Sequence, residues 1–70
     1  MEKDWAHVAT YSLAALAELN KAVLKEHDIE AIVLNAQDSS YHFGSIELYV
    51  HRDNVIKAKR ILEEVSNGEE

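Results

Sequence analysis

The chain contains no cysteine, so neither a disulfide nor a thiolate metal site can support it. It holds only two glycines and no glycine-rich loop that would cradle a phosphate. Basic residues are scarce, seven against 13 acids, for a formal net charge of −6. Binding to nucleic acid or to an anionic membrane needs clustered Lys and Arg, and this balance opposes both. Lys57, Lys59 and Arg60 do lie close together, but Asp53, Glu63 and Glu64 surround them and no basic face forms. No run approaches the roughly 20 apolar residues of a membrane span. The start, Met1-Glu2-Lys3-Asp4, lacks the basic stretch and apolar core of a secretory signal. A cytoplasmic protein is expected.

What is there makes one domain over residues 1–70, ordered over about 4–65 with a frayed tail at 66–70. A chain this short buries only about 60% of the surface that its unfolded form exposes. Small domains of this kind lean on a disulfide, a metal or a partner subunit. With cysteine absent, a partner subunit is the expected support.

Trp5 to Thr10 mixes aromatic, β-branched and small residues and reads as a short strand. Ser12 is the expected helix cap, with Thr10 as its competitor. Leu13 to His27 is rich in Ala, Leu, Glu and Lys and reads as a helix. Its apolar face runs through Leu13, Leu16, Ala17, Asn20, Val23 and Leu24 at i, i+3, i+4, i+7 spacing, with Leu19 and Ala22 widening the arc. Asp28 stands where a glycine is commonest, at a position expected to take a left-handed conformation. Ile29 to Asn35 is the second strand. Ser45 to His51 is the third, with Ile46, Leu48 and Val50 alternating against Glu47, Tyr49 and His51. Asp53 is the expected cap of a second helix whose stripe is Val55, Ala58, Ile61, Leu62 and Val65.

The order β-α-β-β-α predicts an α+β two-layer sandwich. Its simplest form is a three-stranded antiparallel sheet of order 1-3-2 with both helices on one face, the ferredoxin-like arrangement lacking its last strand. Such a sheet has an open face. Trp5, His7, Tyr49 and His51 are expected there, with Ala9 beside them on the first strand. Ala6 and Val8 point to the core instead, with Val8 opposite Leu48. If Ile29 packs under the helices, Ala31 and Val33 turn inward and Ile32 and Leu34 outward, and a slip by one reverses this. An apolar and aromatic surface of that size predicts a homodimer or another protein partner, bound at this face or at the adjoining edge of the first strand.

The second expected site is the connection between the last two strands. A hairpin needs as few as two residues, and this one spends about nine or ten at 36–44, most of them polar. Gln37, Asp38, Ser39, Ser40, Tyr41 and Gly44 are the expected contacts for a small polar ligand. Asp38, Ser39, Ser40 and His42 carry the residue types of a hydrolase triad, yet as neighbours in one loop they lack the surrounding fold that locks a triad. His7, His42 and His51 invite a metal, but no helical ligand pair accompanies them. Neither a catalytic residue, nor a metal site, nor a cofactor is expected.

Five segments together are specific. A strand opens on Trp5 and leads into a helix. Ile-Glu-Ala-Ile-Val-Leu-Asn (29–35), Gln-Asp-Ser-Ser-Tyr (37–41), Phe-Gly-x-Ile-Glu-Leu-Tyr-Val (43–50) and Ala-Lys-Arg-Ile-Leu-Glu-Glu (58–64) follow. This pattern, over roughly residues 4–65, resembles the putative prokaryotic signal-transducing protein family of small bacterial domains. The resemblance implies a β-α-β-β-α domain related in shape to nitrogen-regulatory P-II proteins, and with it a signalling role. It implies no catalytic residue. The expected function is a non-enzymatic binding or regulatory module; the alternative is a structural subunit that dimerises and takes no ligand.

Overall fold

The computed structural model describes residues 4–35 and 45–67. Its elements are β1 (Trp5–Tyr11), α1 (Ala14–Glu26), β2 (Ala31–Asn35), β3 (Ile46–His51), a 3-10 turn (Arg52–Asn54) and α2 (Val55–Asn67). The three strands form one antiparallel sheet of order β1-β3-β2. The fold is therefore α+β with the β-α-β-β-α order read from the sequence. The last helix runs two residues further than expected, through Ser66 and Asn67, which the sequence reading places in the tail.

Alternation in β3 decides the layers. Ile46, Leu48 and Val50 are fully buried, while Glu47, Tyr49 and His51 are only partly covered. Leu48 and Val50 share a core with Leu24 of α1, with Ile29 and Ala31, and with Ala58 and Ile61 of α2. Both helices thus lie on the same side of the sheet, α1 over β2 and α2 over β1. Ala17 and Ala58 are fully buried small residues, which let the helix backbones approach closely. In α2 the stripe Val55, Ala58, Ile61, Leu62, Val65 faces inward as its spacing requires, while Ile56 stays 79% exposed.

The end of α1 fixes the entry to β2. Asp28 has φ of 62°, the left-handed region. The Asp28 amide donates to the Lys25 carbonyl at 3.0 Å and the Ile29 amide to the Leu24 carbonyl at 2.9 Å. These are the two bonds of a Schellman closure, and the apolar contact that accompanies it is Leu24 with Ile29 in the core. The other end of α1 departs from expectation. Its cap is Leu13, in extended backbone, with no side-chain cap hydrogen bond. Ser12 and Thr10 do not cap it, because the helix starts one residue later than a Ser12 cap allows and Thr10 is still inside β1. Of the apolar residues near this end only Ala17 is buried: Leu13, Leu16 and Leu19 are 60%, 43% and 52% exposed.

Candidate functional site

The site is the sheet face opposite the helices. β3 supplies its centre with Glu47, Tyr49 and His51. β2 adds Ile32 beside Tyr49 and Leu34 beside Glu47, as the inward placement of Ile29 requires. On β1, Trp5 lies opposite His51 and His7 opposite Tyr49. The rings meet edge to face, with centroids 6.4 Å apart for Trp5 and His51 and 5.6 Å apart for His7 and Tyr49. Among the described residues no helix or strand covers this face. Trp5, His7, Ile32, Leu34, Tyr49 and His51 are brought together there as alternation predicts; Ala9, expected beside them, is not.

The register of β1 differs from the regular one beyond His7. A bulge between His7 and Ala9 leaves Val8 unpaired and sets Ala9, not Val8, opposite Leu48. Ala9 consequently turns to the core and does not lie on the open face. Val8 still packs against the core, so one extra residue fits on the inner side. The slip also sends Thr10 outward, opposite Glu47, and Tyr11 inward, opposite Ile46. Partial burial pushes the Tyr11 hydroxyl to a higher pKa than a free tyrosine.

That shift creates a polar cluster at one end of the open face. The Thr10 hydroxyl donates to Glu47 Oε2 at 2.5 Å, and His7 Nε2 approaches the same oxygen at 2.6 Å. The Ser45 hydroxyl donates to Glu47 Oε1 at 2.5 Å. The donor from Ser45 first, then that from Thr10, holds the Glu47 carboxyl below the ordinary glutamate range. Partial loss of water opposes this, and His7 adds to the lowering. His7 Nε2 also lies 2.9 Å from Thr10 Oγ1. Because Thr10 gives its only proton to Glu47, Nε2 must donate to the carboxylate. One imidazole nitrogen therefore faces both carboxylate and hydroxyl, whereas a hydrolytic triad uses the two nitrogens separately. The cluster is built to hold a carboxylate in place.

At the opposite end, His51 Nδ1 accepts from the Asp53 amide at 3.2 Å and caps the 3-10 turn. Asp53, expected to cap α2, lies inside this 3-10 turn, and α2 begins two residues later at Val55. The Asp53 carboxylate lies 3.4 Å from the same nitrogen. The cap needs Nδ1 unprotonated and the ion pair needs it protonated, so the two contacts exclude one another.

Alternation in the sequence located the aromatic part of this face. It missed Thr10, because residues 7 and 10 of a regular strand point to opposite sides and only the bulge unites them. Gln37, Asp38, Ser39, Ser40, Tyr41 and Gly44 lie outside the described residues, as does His42. No group of three or more His, Cys, Asp or Glu side chains placed to hold a metal occurs among the described residues. None of the described helices is long and apolar enough to cross a membrane.

The family profile described as "Putative prokaryotic signal transducing protein" matches residues 5–66. The chain belongs to that family. No curated protein and no solved structure matches the chain. The matched span runs from Trp5 to Ser66 and takes in every residue of the open face, all of α1 and all of α2 but Asn67.

Proposed function

We propose that this family member is a non-enzymatic binding module of the bacterial cytoplasm that takes part in signal transduction by seating a protein partner on its open sheet face. The observation that carries this reading is the composition of that face. Trp5, Tyr49, His51 and Ile32 are only partly covered, and Leu34 is 45% exposed, on a sheet whose other side holds the core formed by the described residues. Partly exposed aromatics on a rigid sheet give a large contact area at little cost in side-chain entropy. Covering about 600 Å² of such a surface contributes roughly 15 kcal/mol before association costs, at ~25 cal/mol per Å². The family description supports signalling. The acidic balance supports a protein partner over nucleic acid.

The test is site-specific photo-crosslinking in living cells. A photoreactive phenylalanine replaces Tyr49 in one strain and Ile56, on the outer side of α2, in another. A discrete adduct at position 49 and none at 56 is expected. Equal labelling at both, or none at 49, refutes the reading.

A further inference from the structure

The sheet has two edges, and they differ. β1 is interrupted by the bulge at Val8, which breaks the regular row of backbone groups along its outer side. Bulges are a common means of blunting an edge against strand addition. β2 pairs with β3 in unbroken register from Ala31 onward, and no strand flanks its outer side among the described residues. Beside this edge lies an open groove of about 700 Å³. Its α1 wall is Glu18, Lys21, Ala22 and Lys25, at the i, i+3, i+4, i+7 spacing of a single stripe. Its floor is Ile29, just before β2, and Ala31 at the start of β2, with the acids Asp28 and Glu30 beside them and facing the two lysines of the α1 wall.

We propose that a second copy of this chain docks along the β2 edge, antiparallel, to make a continuous six-stranded sheet. The stripe on α1 argues for a copy of itself as the occupant. A two-fold axis perpendicular to the sheet keeps both helix layers on one side and sets the two α1 helices antiparallel. The stripe carries Glu18 at one end, Lys25 at the other, and Lys21 with the small Ala22 at its centre. Reversed against itself, it brings Lys25 of each copy to Glu18 of the other, with Ala22 leaving room at the crossing. On the sheet, Val33 sits at the axis and Ile32 lies opposite Leu34 of the other copy, since directly opposed residues share a face. The contact leaves Trp5, His7, Tyr49 and His51 uncovered. It therefore shares only Ile32 and Leu34 with the partner site on the open face and leaves the aromatic part of that site accessible. It also supplies the support that so small a core calls for.

Sedimentation equilibrium of the full chain, with hydrogen exchange read by mass spectrometry, tests this. A dimer at micromolar concentration is expected, with amides of residues 31–34 gaining protection as concentration rises. Lys25→Glu and Glu18→Lys each set like charges together and are expected to weaken the dimer about tenfold or more. The double variant Glu18→Lys/Lys25→Glu restores the complement and is expected to return most of that affinity. Tyr49→Lys leaves the dimer intact while removing the partner on the open face, so the two proposals fail separately. A monomer at tens of micromolar, a dimer with no concentration-dependent protection at 31–34, or a double variant as weak as the singles overturns the inference. The wild-type exchange experiment decides the matter even if a charge variant folds poorly.

Discussion

Two side chains hold conformations that a different residue would hold at another cost. Asp28 sits at φ 62° to close α1, a region costing an L-residue with a Cβ about 1–2 kcal/mol and glycine almost nothing. Glycine loses more entropy on folding, which offsets part of the gain. Asp28→Gly is expected to raise stability by about 0.5–1 kcal/mol, read as a higher urea midpoint at unchanged slope. Glu47 is the other. Its carboxyl titrates lower in the folded chain than in the unfolded one, because Ser45 and Thr10 donate to its charged form. The folded state thus binds the proton more weakly. The stabilisation is present above the ordinary glutamate pKa and disappears as pH falls through the lowered native value. Glu47→Gln removes this titration, so its urea midpoint should drop less than that of the wild type between neutral and strongly acidic pH. An equal drop in both would show that the cluster adds nothing to folding.

At the scale of elements, sheet and helices differ in how well local sequence specifies them. The three strands and α2 carry their signals in period and in β-branched content, and they form where those signals lie. α1 carries more apolar residues than the core can use. Leu13, Leu16 and Leu19 stay largely exposed although Ala17 among them is fully buried, and Leu16 and Leu19 border a shallow groove beside Leu62 and Val65 of α2. The helix also begins without a side-chain cap. Leu13→Asp supplies the missing acceptor and places a negative charge at the helix N-terminus. It is expected to add about 1 kcal/mol, visible as a higher melting temperature. A loss of stability would mean that Leu13, though exposed, contributes more by contact than a cap does. The β1 bulge belongs to this scale too. It adds one residue within a strand and reverses the facing of everything after it, which no local periodicity forecasts.

For the whole molecule, the division into a sheltered and an open sheet face controls what each substitution does. Leu48 and Tyr49 are neighbours in sequence with opposite fates. Leu48→Ala empties a fully buried position and is expected to cost about 3 kcal/mol in urea unfolding. Tyr49→Lys gives up an edge-to-face contact with His7, worth about 1 kcal/mol, and should otherwise leave folding intact while abolishing the crosslinked partner. If both substitutions destabilise alike, Tyr49 is part of the core and the open face is not a binding surface.

Sequence alone determined the element order, the strand order and the inner and outer sets of β3, because residues 45–51 alternate over their whole length; the facing of β2, open to a slip by one, was settled by its pairing with β3. It also determined the left-handed position at Asp28, since a helix must reverse there to let Ile29 enter the core. The family was legible for the same reason: its pattern lies in those segments. Tertiary structure decided what depends on pairing between distant segments. The bulge at Val8 follows from how β1 meets β3, and with it the joining of His7, Thr10 and Glu47. A 3-10 turn precedes α2, and it brings the Asp53 amide to the His51 imidazole, a contact that no local pattern forecasts. The contrast between a blunted β1 edge and a regular β2 edge arises in the same way. A residue's neighbours along the chain set its face within an element, but only the partner strand sets where that element slips.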